Sequence, residues 1–201
     1  MAKAAEASDF NADRHGIGKA HMRRAPGSTA KETSGFIAVD VETTGFSPLR
    51  GDRIIEIAAV AFNGDGITKE FQSLINAGKR IPFHARQVHG ITDEMLIGAP
   101  APAEVFEQFQ SFVEASVLVA HNAAFDVGFL RHEFGRMGMG FDRRYHCTLE
   151  MCRKRYPNLQ NHRLETVCRH LFGREMKGVR LHRALDDARM VAKVWMEMMR
   201  Q

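Results

Sequence analysis

The sequence has few of the residues that staple small secreted domains. Its three cysteines, Cys147, Cys152 and Cys168, include no CxxC pair and leave an odd count. That excludes a disulfide framework and a zinc site of cysteine pairs, and the expectation is reduced thiols in a cytoplasmic protein. No apolar run is long enough to cross a bilayer, so no membrane association is expected. The N-terminus lacks the apolar core of a secretory signal, and no internal repeat is visible. What is present is a chain of 201 residues with a hydrophobic fraction of 44%, enough for one domain with a full core. The formal net charge is +4, but it is unevenly placed. Between Arg131 and Arg183 there are 13 Lys or Arg against five Asp or Glu, so the remainder is net acidic. A basic half beside an acidic one suits a polyanionic substrate drawn to a metal centre. A merely solvated basic face is the competing reading.

Residues 1–33 are rich in Ala, Lys, Arg, Gly and Ser without sustained periodicity. They read as a flexible basic tail, with Ala2 to Ala7 transiently helical. Residues 34–201 form the domain. Strands are expected at Phe36 to Val41, Arg53 to Phe62 and Ile67 to Asn76, the last two joined by the hairpin signal Asn63-Gly-Asp-Gly66. A short helix and turn follow at Pro82 to Gly90, and Thr92 reads as a helix cap. Further helices are expected at Ala103 to Ala115, Ala123 to Met137, Thr148 to Arg155, Arg163 to Phe172 and Arg183 to Met199. Short strands at Val117 to Ala120 and Arg144 to Thr148 complete a mixed α/β domain.

The chemistry gathers on three stretches. Ile37-Ala-Val-Asp-Val-Glu-Thr-Thr-Gly45 places Asp40 and Glu42 two apart in a strand. Residues so spaced share a face, and two adjacent anions resist ionising unless a cation lies between them. An oxygen-only set suits a hard ion such as magnesium or manganese; a strand end with two solvated acids is the bland alternative. The second stretch, Leu118-Val-Ala-His-Asn-Ala-Ala-Phe-Asp126, ends a buried strand at Asn122, which reads as a helix cap. It puts Asp126 among apolar neighbours, where an acid needs a partner. The third is His182-Arg-Ala-Leu-Asp186-Asp187. Helical phase puts Asp187 on the stripe of Ala184, Val191, Val194 and Met198, and puts Asp186 with Arg189, Lys193 and Glu197 on the polar face. Asp187 is therefore the ligand candidate, and His182 works from the lead-in to that helix.

Asp-Val-Glu-Thr-Thr-Gly, His-Asn-Ala-Ala-Phe-Asp and His-x-Ala-x-x-Asp, in this order, resemble the three motifs of the DEDDh exonucleases. That family includes the epsilon proofreading subunit of bacterial DNA polymerase III, ribonuclease T and oligoribonuclease. The resemblance covers roughly Gly35 to Arg200, and His89-Gly-Ile-Thr92 matches a further family segment. It implies a ribonuclease H-like fold, a mixed five-stranded sheet flanked by helices. It implies that Asp40, Glu42, Asp126 and Asp187 hold two divalent ions, Mg2+ or Mn2+, and that His182 is the general base. It also implies that Thr43, Thr44 and Phe46 form the turn that meets the terminal nucleotide, with His89 and Asn122 near the scissile end.

The resulting expectation is a metal-dependent 3′–5′ exonuclease, epsilon-like but stand-alone, releasing nucleoside monophosphates from the free 3′ end of single-stranded DNA. No polymerase tether is evident in the sequence, so a stand-alone enzyme is the expectation; a homodimer is left open, although no stripe demands one. The alternatives are an RNA-trimming or short-oligonucleotide exoribonuclease, and a catalytically silent nucleic-acid-binding module on the same fold. The complete carboxylate set argues against the silent module, because clustered anions repel phosphate unless cations intervene.

Overall fold

Apolar and β-branched stretches build the sheet. The computed structural model describes residues 21–24, 35–173 and 182–200. Six strands are present among the described residues: β1 (His21–Arg24), β2 (Phe36–Thr43), β3 (Ile54–Asn63), β4 (Gly66–Leu74), β5 (Val117–Ala120) and β6 (Tyr145–Cys147). Their order is β1-β4-β3-β2-β5-β6. β2, β3 and β4 form the expected antiparallel meander. β5 and β6 add in parallel beyond β2. These five strands are the mixed sheet read from the sequence, and its ribonuclease H-like order leaves β2 central.

The sixth strand corrects the reading of residues 1–33 as tail. His21–Arg24 pairs antiparallel with β4, His21 opposite Gln72 and Arg24 opposite Lys69. The pairing satisfies the open backbone groups of β4, and backbone pairing leaves no periodic signature in four residues. The proposed helix at Ala2 to Ala7 and the rest of that stretch lie outside the described residues.

Seven α-helices are described: α1 (Phe83–His89), α2 (Asp93–Leu96), α3 (Pro102–Val113), α4 (Ala123–Arg136), α5 (Thr148–Arg155), α6 (Leu164–Phe172) and α7 (Ala184–Arg200). On one sheet face Val39, Val41, Ile57 and Phe71 pack against Phe106 and Phe109 of α3 and Phe129 and Phe134 of α4. On the other, Ala38, Ala58, Val60 and Val119 meet Ala184, Ala188, Val191 and Trp195 of α7. Each fully buried Phe, Ile or Val contributes about 1.5–3 kcal/mol, so both helix layers are fixed by apolar contact. Alanines on both sides let α7 approach β2 closely. α5 and α6 bury Cys152 and Cys168 against Val194 and Met198. Burial pushes these thiols up to about 11 and about 12, so both stay protonated and inert.

Two caps differ from expectation. Neither Thr92 nor Asn122 caps its helix with a side-chain hydrogen bond. Asn122 instead takes a left-handed conformation, φ 76°, which asparagine tolerates better than most residues. This sharp turn joins β5 to α4, and it leaves the Asn122 side chain exposed.

Candidate active site

Asp40 and Glu42 lie on the face of β2 that α7 covers. Strand alternation gives them that common face, and the register slips between Glu42 and Thr43 at the strand's end. Such a bulge re-aims the residues beside it. Asp187 lies on the buried stripe of α7, with Ala184 and Val191, as helical phase requires. One carboxylate oxygen from each of Asp40, Glu42 and Asp187 falls within 4.8 Å of the others. Asp126, buried in the first turn of α4, is hydrogen-bonded to the Val41 backbone between Asp40 and Glu42 and stands outside that 4.8 Å group. Its charge acts on both Asp40 and Glu42.

Electrostatics confirm the crowding. Burial, followed by repulsion from Asp126, Asp187, Glu42 and Glu56, raises Asp40 well above the usual carboxylate range. Burial pushes Glu42 up to about 8, with Asp187 and Glu56 adding to the effect. Burial pushes Asp126 up to about 8 against backbone hydrogen bonds that favour its anion. Asp187 is raised to about 7, again mainly by burial. Shifts of this kind mark sites built for charge. Among the described residues, two buried side-chain polar atoms lack a hydrogen-bond partner, Asp187 Oδ1 and His89 Nε2. A hard cation fits this donor set: it supplies the missing partner of Asp187 and removes the mutual repulsion.

His182 lies just before α7 with φ 65°. Its backbone N–H donates to Asp187 Oδ2 at 3.0 Å, while its side chain is exposed. His89 is buried, and its Nδ1 accepts from the Ile91 N–H at 3.0 Å. Burial holds its imidazole below its ordinary value, so the neutral ring carries its proton on Nε2. Thr43, the last residue of β2, and Thr44, the first of the turn after it, are buried. The Thr43 hydroxyl donates to the Gly45 carbonyl at 2.6 Å, and Thr44 Oγ1 accepts from the Arg53 N–H at 3.1 Å. Both hydroxyls therefore shape the turn. A Cβ at Gly45 would meet the Asp52 carboxylate, which would have to move. Asp52 in turn accepts from the Ser47 N–H and from Lys79. The turn presents Phe46, 79% exposed and stacked on His84 with centroids 6.2 Å apart. Thr44, Phe46, Arg50, Pro82 and His84 line a cleft of about 160 Å³. A larger concavity of about 350 Å³ over Val117 and Arg143 to His146 holds none of the carboxylates.

The sequence reading passed over Glu56. It is fully buried on β3, directly opposite Glu42, and it is paired with Arg183 at 2.6 Å. The signal was an acid inside an apolar strand, the same signal that picked out Asp187. Glu133 was missed likewise: it is buried in α4 and takes two hydrogen bonds from Arg53, at 2.7 and 2.9 Å. That pair ties the helix bearing Asp126 to the start of β3.

A family model described as an exonuclease, RNase_T, matches residues 37–195. The DNA polymerase III subunit epsilon of Aquifex aeolicus (strain VF5) is 34% identical over 167 residues, 83% of this chain and 81% of that protein. The PolC-type DNA polymerase III of Clostridium perfringens (strain 13 / Type A) is 38% identical over 162 residues, 79% of this chain but 11% of the polymerase. The chain thus spans about a tenth of the length of that relative. The nuclease domain of 3′hExo, a DEDDh family member bound to rAMP, superposes with a TM-score of 0.71 at 18% identity, over 83% of this chain and 92% of that one. That likeness concerns the fold.

Proposed function

The chain belongs to the RNase_T exonuclease family, and from that premise we propose that it is a metal-dependent 3′–5′ exonuclease of DEDDh type acting on DNA. The observation that carries the proposal is the carboxylate cluster: Asp40, Glu42 and Asp187 converge within 4.8 Å, and Asp187 Oδ1 has no partner. Asp40, Glu42, Asp126 and Asp187 would hold two divalent ions, Mg2+ or Mn2+. When bound, such ions neutralise the scissile phosphate and offset the charge that builds on the attacking and leaving oxygens.

The remaining steps belong to the chain's own side chains. His182, exposed beside Asp187, takes a proton from the attacking water on an imidazole nitrogen. As water oxygen bonds to phosphorus, the bond from phosphorus to the 3′ oxygen breaks. A nucleoside monophosphate leaves, and the shortened strand keeps a 3′ hydroxyl. Phe46 and His84 offer ring faces on which the terminal base stacks. His89, buried beside Thr43 at the end of β2, and the exposed Asn122 amide would orient the end of the strand. An unpaired terminal base stacked on the Phe46 and His84 rings favours single-stranded DNA.

DNA is preferred because the relatives reported above are DNA polymerase III proteins. The test is digestion of matched 5′-labelled single-stranded DNA, duplex DNA and RNA, with magnesium and with excess chelator. The expected result is a ladder shortening from the 3′ end, fastest on single-stranded DNA and absent with chelator. Faster loss of RNA would make the chain an exoribonuclease, and retention without cleavage would make it a binding module.

A further inference from the structure

Glu56 is a fifth carboxylate at the cluster that the metal reading leaves without a task. Residues directly opposite across antiparallel strands share a face, so Glu56 stands beside Glu42. It is not free to join the cluster. Arg183 Nη2 donates to Oε1 at 2.6 Å, and Arg183 Nε lies 3.1 Å from Oε2 and 3.2 Å from Oε1. The Ala184 N–H donates to Oε2 at 3.1 Å, and Gln72 Nε2 donates to Oε1 at 2.9 Å. Buried carboxylates persist when paired and hydrogen-bonded in this way.

The partners matter because of where they sit in the chain. Arg183 directly follows His182, and Ala184 opens α7. The Arg183 carbonyl accepts from the Asp187 N–H at 3.0 Å, and the His182 N–H returns to Asp187 Oδ2. One anion on β3 therefore grips Arg183 and Ala184, the first two of the four residues between the candidate base and the candidate ligand.

We propose that Glu56 and Arg183 are positioning residues, a charged latch that sets His182 and Asp187 in register with Asp40 and Glu42. Arg183 also masks Glu56, so the centre presents four ligating carboxylates and not five. The proposal rests on the nuclease reading of the same site. α7 carries its own control. Arg189 clamps the same helix to Glu70 on β4 with hydrogen bonds of 2.8 Å and 2.8 Å and to Asp186 at 3.0 Å, touching neither Glu56 nor His182. A latch that serves only stability should behave like this second clamp.

The experiment compares Arg183→Ala, Arg183→Lys and Arg189→Ala with the native protein. The readouts are melting temperature, kcat and KM on a labelled oligonucleotide, and Mn2+ affinity by calorimetry without substrate. Both alanine variants should melt earlier. Arg183→Ala alone should lose kcat, by about 10–100-fold as small misplacements do, with KM little changed and Mn2+ affinity weakened. Arg183→Lys keeps the charge but not the fork, so it should recover part of the loss. It also stands in should Arg183→Ala fail to fold. Equal kcat and equal Mn2+ affinity in the Arg183 and Arg189 variants would overturn the proposal. A native protein with no nuclease activity would overturn the nuclease reading instead, and the Mn2+ titration would still decide whether the latch positions Asp187.

Discussion

Asp186 and Asp187 are neighbours with opposite surroundings. Asp187 is 7% exposed and shares a cation-sized space with Asp40 and Glu42. Asp186 is half-buried on the polar side and meets Arg189 at 3.0 Å, an i,i+3 pair of the kind worth about 0.2–0.5 kcal/mol. Asp187→Asn keeps the volume but removes a ligating charge, so nuclease activity should nearly vanish. The same change relieves repulsion, so the metal-free protein should melt no earlier than the native one. Asp186→Asn should retain most activity. Rates and melting temperatures of the two variants, with and without magnesium, check this. A dead Asp186→Asn beside an active Asp187→Asn would refute the assignment. The distinction between these two acids was legible from helical phase alone. The acid at Glu56 stood out in its apolar strand, but its pairing did not, because nothing in that strand indicates the arginine 127 positions away that neutralises it.

At the scale of elements, the lead-in to α7 joins chemistry to backbone. The bond from His182 to Asp187 comes from the main chain, so it survives any side-chain change. His182→Ala should therefore lower turnover by about 10²–10⁴-fold, the usual range for general acid–base catalysis, while metal binding persists. Because φ is 65° there, alanine also strains the backbone. His182→Asn tolerates that conformation, and it should be equally slow if the imidazole is what matters. Loss of metal affinity in the asparagine variant would move His182 into the metal shell. Strand β1 offers a second test. It pairs with β4 alone, two strands from β2, so removing residues 1–33 should lower the melting temperature while leaving the metal chemistry intact. A folded but inactive truncation would contradict this. Long periodic elements such as α7 and β3 were legible in the sequence; β1 and the left-handed turn at Asn122 were not, because backbone pairing and a single φ leave no pattern in side-chain type.

For the whole molecule, the concentration of buried acid sets how stability answers to pH. Burial and mutual repulsion hold Asp40, Glu42, Asp126 and Asp187 above their ordinary range, three of them at about 7 to about 8. The unfolded chain releases these protons near pH 4, whereas the folded chain keeps them to near 8. The folded state thus binds more protons throughout that window, so metal-free stability falls as pH rises across it. His89 and His121 oppose this, since burial holds both below their ordinary value and the unfolded chain binds their protons. Their effect ends once pH passes about 6.5. From pH 6.5 to 8 the carboxylates act alone, and the melting temperature in chelator should drop steadily. A divalent ion must displace the same protons and binds only the folded state, so the gain in melting temperature from a fixed magnesium concentration should widen over the same interval. Asp187→Asn should flatten the fall in chelator and abolish most of the gain. A metal-free melting temperature that stays level or climbs between pH 6.5 and 8, with a magnesium gain independent of pH, would mean that the carboxylates are not forced together in the folded protein.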